Sequence, residues 1–288
     1  MMKKKTVHRS PFFYMGDKSK LFDQIRGHLP VGIDRLIEPF AGGGSMFMNV
    51  EAGEYLLNDL SKWIIKIHQM LNSYRGRKEK FYEEIFKLIR HYGLTSKYFG
   101  TCGSNRDGYN RMRKDFNDGG QQDTMLLYML LIYGFNHMTR FNKKGEFNLP
   151  VGNLDFNMNT YNALNDYFEQ SVRKHPQWHC QDFRTFLNGI DYAKGDLVYI
   201  DPPYLISSYK YNKMWNEDCE RDLIGVMDEL DGRGVRFAVS NIITYNGRRN
   251  EIFGEWAVRY NVHTIKSNYI NYHDNSKKAL LEVLVTNY

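Results

Sequence analysis

Leu197-Val198-Tyr199-Ile200-Asp201-Pro202-Pro203-Tyr204 is the stretch on which the reading of this chain turns. Its four apolar residues read as a short buried strand with Asp201 at the carboxyl end. Neither proline can donate to a strand ladder, so the strand stops there. The rings also fix the backbone, which aims the carbonyls of Asp201 and Pro202 in set directions. In open α/β sheets, ligands bind outside the carboxyl ends of the strands. A rigid pair of acceptors beside the Tyr204 ring suits a planar ring that carries an amino group.

Upstream, Arg35-Leu36-Ile37-Glu38-Pro39-Phe40-Ala41-Gly42-Gly43-Gly44-Ser45 reads as a second short strand running into a glycine-rich turn, with a helix from about Ser45. Glycines there permit positive φ and close approach of a ligand to the backbone, and the helix start offers free amide donors. Glu54 to Asp59 reads as a further strand ending in an acid. An acid about 15–20 residues beyond such a turn typically takes ribose hydroxyls. The glycines run together as GGG rather than GxGxxG. That spacing points away from a dinucleotide and towards another adenosine-containing cofactor. Asp59 could equally cap the helix that begins near Ser61.

Between these motifs the chain changes character. Residues 7–20 place aromatics, a glycine and a lysine before a helix expected at Lys18–His28. Residues 60–100 carry helical apolar spacing at Ile64, Ile65, Ile67 and Leu71, then Phe81, Ile85, Leu88 and Ile89. Residues 101–122 are polar and glycine-rich and read as a loop or short helix with a basic face; an apolar helix is expected over Thr124–Tyr133. From Gly134 to Gly152, two aromatic and polar arms flank Lys143-Lys144-Gly145, which suits a hairpin. Arg, Asn and exposed Phe are what base readout and base displacement require. Further on, helix is expected at 160–175 and Asp218–Leu230, and strand at Trp178–Phe183, Arg236–Asn241 and the apolar part of Lys277–Asn287. Strands alternating with helices on both sides of a helical, basic middle predict an α/β sheet domain with an insert.

Composition sets bounds on function. The chain has 288 residues, a net charge of +6 and 15 % aromatic residues, and its pI is near 9.0. A mildly basic balance fits a polyanionic partner, and spare aromatics suit base stacking. Cys102, Cys180 and Cys219 have no metal-type spacing and are expected to be reduced thiols in a cytoplasmic protein. No apolar signal region follows the basic Met1–Lys5, and no apolar run reaches the roughly 18–20 residues needed to span a bilayer.

With these motifs in place, the chain resembles the DNA adenine methylase (Dam) family of adenine-specific DNA methyltransferases. EPFAGGGSMF, LLNDL, FNHMTRFNKKGEFNLPVG, QDF, DPPY and KKALLEVLVTNY follow in the family's order and cover most of the chain. The resemblance implies a Rossmann-like methyltransferase sheet, discontinuous over 1–71 and 157–288. A mostly helical DNA-recognition domain carrying a β-hairpin would be inserted at 72–156. It also implies S-adenosyl-L-methionine as cofactor, held by Tyr14, Gly16 and Lys18, by the turn Glu38, Pro39, Phe40, Ala41, Gly42, Gly43, Gly44 and Ser45, by Asp59 at the ribose, and by Asp182 and Phe183 at the adenine. Asp201, Pro202, Pro203 and Tyr204 would form the catalytic motif, and no metal is implied. In the hairpin, Phe135 falls where the family places an intercalating aromatic, and Asn136, Met138, Arg140, Asn142 and Pro150 fall on DNA-contacting positions.

The family members that read GATC carry a lysine before the opening aromatic and Asn-Gly in the hairpin; this chain has Phe13 and Asn136-His137. A phenylalanine can neither donate to nor accept from a guanine edge. The expected partner is double-stranded DNA, with room for a cognate restriction endonuclease acting on the same site without a stable complex. An orphan or phage methylase is the other setting, and the chain is expected to act as a monomer or weak dimer. Similar acceptor pockets serve methyltransferases acting on RNA adenines and on protein glutamines, and a cytosine amine fits the same geometry. A binding module with a decayed methylase site is the non-enzymatic alternative. The Arg/Asn/Phe hairpin favours duplex DNA, and the intact Asp201 and Tyr204 favour an enzyme. Ring-carbon methylation of cytosine needs a cysteine after proline, whereas the cysteines here follow Thr101, His179 and Asp218.

Overall fold

The structure is a computed structural model describing residues 6–14, 16–206, 215–266 and 280–288. Met1–Lys5 and the basic start of the tail, Lys277 and Lys278, lie outside the described residues. In chain order the first half holds α1 (Phe22–Ile25), β1 (Arg35–Glu38), α2 (Ser45–Asn49), β2 (Glu54–Asn58), α3 (Lys62–Ser73), α4 (Lys78–Tyr92), α5 (Arg106–Asp118) and α6 (Thr124–Tyr133). The second half holds α7 (Met158–Lys174), β3 (Gln177–His179), α8 (Phe183–Asn188), β4 (Asp196–Ile200), α9 (Glu217–Gly232), β5 (Arg236–Tyr245), β6 (Arg248–Arg249), α10 (Glu251–Ala257), β7 (Asn261–Ile265) and β8 (Leu280–Thr286). These elements fall into two compact units, one of residues 1–19, 42–49 and 61–178, the other of 20–41, 50–60 and 179–288.

The second unit is built on a mostly parallel sheet with strand order β3-β2-β1-β4-β5-β8-β7. β1 pairs in parallel with both β2 and β4, and β4 with β5. β8 runs antiparallel between β5 and β7. All five residues of β4 are buried, which is why it reads as a continuous apolar run rather than an alternating one. Ile37, Val198, Ile200, Phe237 and Val239 from the sheet pack with Leu223, Met227 and Leu230 of α9 and Trp256 of α10. From β1 the chain turns to β2 on one side and later to β4 on the other. The strand order therefore reverses between β1 and β4, and the crevice at their carboxyl ends is where such sheets bind ligands.

The first unit is helical. Its centre is α6, in which every residue from Met125 to Tyr133 is buried. A helix apolar on all sides has to be a core helix. Asp123 caps it, accepting from the Leu126 amide at 3.0 Å.

Most strands and helices fall where the sequence places them, and the differences have physical causes. The polar 101–122 stretch forms the 13-residue α5, which buries Tyr109, Met112 and Phe116. Those residues sit three and four apart, so a narrow apolar stripe suffices despite the charged majority. The strand expected at Trp178–Phe183 ends at His179. Asp182 is instead the N-cap of α8, where its side chain accepts from the Arg184 amide. An aspartate satisfies an orphan helix amide better than it continues a ladder. The helix expected at Lys18–His28 is broken into a 3-10 turn, the four-residue α1 and a second 3-10 turn. α10 and β7 were not expected at all. No described helix is long and apolar enough to cross a membrane.

Candidate active site

In the second unit the sequence-predicted residues gather at the carboxyl edge of the sheet. Glu38, buried, ends β1. The register Ile37↔Val198 sets Glu38 beside the stretch of β4 that leads into Asp201. The Tyr204 hydroxyl lies 3.1 Å from Asp201 Oδ1 and 3.3 Å from Glu282 Oε1. Glu282, on β8, is buried. The aromatic and the acid of the DPPY stretch are thus tied to each other, and β8 supplies a second carboxylate. Tyr199, buried on β4, bonds Ser240 of β5 at 2.8 Å. Burial, then the nearby Asp201 charge, pushes its phenol well above the usual range.

Asn58 organises the edge around Asp59, a role the sequence reading missed. Fully buried at the end of β2, it donates through Nδ2 to the Pro39 and Gln181 carbonyls, both at 3.0 Å. Its Oδ1 accepts from the Gln181 amide at 2.9 Å, while its own carbonyl accepts from the Ala41 amide at 2.7 Å. One side chain therefore fixes the turn after β1 and the segment leading to Asp182. Asp59, half-buried, follows, its amide donating to the His179 carbonyl at 3.3 Å.

Asp182 and Phe183 are placed differently from the expectation of a strand end. The Asp182 carboxylate holds the guanidinium of Arg184 at 3.0 Å. The Phe183 ring is only 4 % exposed, packed against Phe40 and Trp215, and the Arg184 guanidinium lies over it, 4.4 Å from the ring centre.

The first unit carries the other half of the predicted set. Gly42 has φ +48°, and a Cβ there would meet the Tyr14 ring at 2.8 Å; one on Gly43 would meet Ser10 and Tyr14 at 2.6 Å. The glycines are thus required by the protein's own packing. The Gly42 carbonyl accepts from His68 Nε2 at 2.8 Å, and His68 Nδ1 faces the Tyr167 hydroxyl at 2.9 Å. Since a carbonyl can only accept, Nε2 carries the proton and Nδ1 accepts from Tyr167. His68 is fully buried and stacked on Trp178 at 3.7 Å. Burial holds its pKa down at about 3, so the ring is neutral. Its only sequence signal is its position on the buried face of α3, four residues after Ile64. Lys18 is buried, its Nζ donating to the Gly16 carbonyl at 3.1 Å and its amide to Ser45 Oγ at 3.2 Å.

The same unit carries the 134–152 hairpin, paired through isolated bridges at Gly134↔Val151 and Phe141↔Phe147. α5 grips its return arm: Asn117 exchanges hydrogen bonds with the backbone of Phe147 at 2.8 and 3.0 Å, and Tyr109 and Arg113 donate to the Leu149 carbonyl. Trp63 of α3 stacks on Phe141 at 4.6 Å. Phe135, 48 % exposed, Asn136 and Arg140 face solvent. The Arg140 guanidinium is braced on Asn148 Oδ1 at 3.0 Å. Met138 is half-buried and Pro150 exposed, and Asn142 Oδ1 accepts from the Lys144 and Glu146 amides, closing the turn.

The family model for D12 class N6 adenine-specific DNA methyltransferases matches residues 14–270. The chain belongs to the D12 class of N6 adenine-specific DNA methyltransferases. Among D12 relatives, the type II methyltransferase M.FokI of Planomicrobium okeanokoites is 32 % identical over 97 % of this chain but 43 % of its own length. M1.LlaDCHI of Lactococcus lactis subsp. cremoris is 26 % identical over 100 % of the chain and 99 % of its own length. The DNA adenine methylase of Escherichia coli K12 is 26 % identical over 88 % and 85 %. The chain spans less than half the length of the first curated relatives it matches, 43 % of both M.FokI and the StsI modification methylase.

Proposed function

We propose that this chain transfers a methyl group from S-adenosyl-L-methionine to the exocyclic 6-amino group of an adenine flipped out of duplex DNA. The carrying observation is the Asp201–Tyr204 pair fixed at the carboxyl edge of the sheet, beside the point where the strand order reverses, in a chain of the D12 class. The adenine amine is a poor nucleophile because its lone pair is delocalised into the ring. The Asp201 carboxylate and the Pro202 carbonyl accept its two hydrogens, which favours a pyramidal nitrogen with its lone pair exposed. The Tyr204 hydroxyl holds the carboxylate in one orientation, and Asp201 is placed to take the proton the amine sheds. Positioning and electrostatics are the catalytic resources of such a site.

When bound, S-adenosylmethionine supplies an electrophilic methyl group. The residues assigned to hold it are Tyr14, Gly16, Lys18, the turn from Glu38 to Ser45, Asp59, Asp182 and Phe183. The donor set fits: Asp59 is half-exposed just past β2 and suits vicinal hydroxyls, and the Asp182 carboxylate has acceptor capacity beyond its Arg184 contact. Arg184 has to leave the Phe183 face for that ring to stack on an adenine.

The target base leaves the helix at a cost of a few kcal/mol. Residues 72–156, with the hairpin, form a target-recognition domain inserted in a discontinuous catalytic domain of 1–71 and 157–288, and exposed Phe135 fills the gap in the stack. Asn136, Met138, Arg140, Asn142 and Pro150 contact DNA. The names of the type II and modification methylases among its relatives support a role as the methylating partner of a restriction endonuclease. The two would meet only through a shared DNA site, with the chain acting as a monomer or weak dimer.

Incubating the protein with tritiated S-adenosylmethionine and, side by side, duplex DNA, RNA and protein tests this reading. Label in duplex DNA is expected. Label confined to RNA or protein would overturn it.

A further inference from the structure

Two of the non-glycine residues with positive φ are an aromatic and a histidine, and they touch. Phe13 has φ +51° and His137 has φ +53°, with Asn136 beside it also at +53°. The left-handed region is open to Asn, Asp and His more readily than to other side chains and is costly for a phenylalanine, and such strain persists only where surrounding structure enforces it, commonly at ligand sites. The enforcement is visible. Tyr128 of α6 donates to the Pro11 carbonyl at 2.8 Å and Phe13 closes a turn onto the Ser10 carbonyl. The Phe13 and His137 rings lie 5.3 Å apart. Gly134, at the foot of the loop, is packed too closely for any side chain: a Cβ there would meet the Leu130 carbonyl at 2.4 Å.

His137 Nδ1 lies 2.9 Å from the Leu131 carbonyl. That oxygen only accepts, so Nδ1 carries the proton. In the neutral ring Nε2 is then a bare acceptor. Burial lowers the His137 pKa, which keeps that form. Nε2 has no partner among the described residues, and His137 is only half-buried between exposed Asn136 and exposed Arg140. Capping the last turn of α6 would account for Nδ1. It would not account for the strained Phe13 backbone, the contact of the two rings or an acceptor left unpaired on a half-buried ring.

We propose that His137 is a base-reading residue: its Nε2 accepts a hydrogen bond from the exocyclic amino group of an adenine or cytosine in the recognised sequence, with Phe13 holding the ring in place. This rests on the methyltransferase reading given above. Among base edges, adenine N6 and cytosine N4 present donors in the major groove, whereas guanine O6 and N7 and thymine O4 do not.

The test is methyl transfer to duplexes in which each position around the target adenine is varied through all four bases. The unaltered protein is expected to prefer an amino base at one position. His137→Phe keeps a ring against Phe13 but has no acceptor, and should lose that preference by roughly tenfold or more while keeping preferences elsewhere; His137→Ala should do the same. Replacing adenine by purine, or cytosine by pyrimidin-2-one, at that position should impair the unaltered protein by a similar factor and leave His137→Phe indifferent. Wild-type preferences in both variants, or a uniform loss on every duplex, would overturn the proposal. Absence of transfer by the unaltered protein to any duplex is a distinct result. It would overturn the methyltransferase reading and this inference with it.

Discussion

At the carboxyl edge of the sheet, Asp201 and Tyr204 follow a strand whose five residues are all buried, and they bond each other within four residues of chain. The 134–152 hairpin has two isolated bridges instead of a ladder, exposed side chains at Phe135, Asn136, Arg140 and Pro150, and two consecutive residues at positive φ. The first region is positioned from within the sheet, by parallel register, two prolines and the buried Asn58 side chain. The second is positioned from outside, by Asn117, Tyr109 and Arg113 reaching over from α5 and by Trp63 from α3. A site for chemistry common to a family can be fixed by the sheet itself. A site that must read a particular sequence is better carried on a loop whose side chains can change while its anchors stay.

Substitutions should divide along that line. The largest expected effect is at Asp201: Asp201→Ala should lower methyl transfer by more than about a thousandfold, with cofactor affinity, measured by calorimetry, largely unchanged. Transfer near the wild-type rate would remove the catalytic edge from the comparison.

His68 comes next, since it supports the glycine turn without taking part in the chemistry. His68→Ala should cost about 4 kcal/mol, from a cavity and from stranding the Gly42 carbonyl and Tyr167 hydroxyl, read from denaturant unfolding. The histidine also makes stability depend on pH. Its folded pKa is about 3 against 6.5 ordinarily, so the unfolded chain binds the extra proton. The stabilisation is complete above pH 6.5 and falls by about 1.4 kcal/mol per unit as pH drops towards 3. His68→Phe should flatten that slope by this amount, although His137, His179 and His263, also held down by burial, leave a residual one.

Asn58→Ala should cost about 2–3 kcal/mol by unpairing two carbonyls and an amide, and should weaken cofactor binding through the displaced Asp59 and Asp182 segments. On the recognition side the pattern inverts. Arg140→Ala should leave stability within about 0.5 kcal/mol yet cost roughly 1–3 kcal/mol of discrimination at one base pair. Phe135→Ala should be equally silent in unfolding. It should slow transfer to a paired target more than to one whose adenine is already mismatched, because less unstacking is then required.

How much of this was legible in the sequence follows the same division. β1, β2, β4 and α6 stand out as apolar runs, and the acids and prolines that end the strands mark the edge. The residues that hold the site are harder to see. Asn58 resembles any strand-ending polar residue, and only its partners on two other segments reveal the clamp. His68 is hidden among Ile64, Ile65, Ile67 and Leu71. α5 was obscured by its charges, and the pairing of Phe13 with His137 depends on contacts between remote parts of the chain that no local pattern encodes. Asp182 is of a residue type that caps helices, but the apolar and aromatic residues around it read equally as a strand end.

The central claim is that the edge at Asp201 methylates the amino group of adenine in duplex DNA. It is tested most directly by digesting duplex DNA, after incubation with the protein and labelled S-adenosylmethionine, to nucleosides and identifying the one that carries the label. N6-methyladenine, absent when Asp201→Ala is used, is the predicted result; label in N4-methylcytosine, or equal label with the variant, would contradict it.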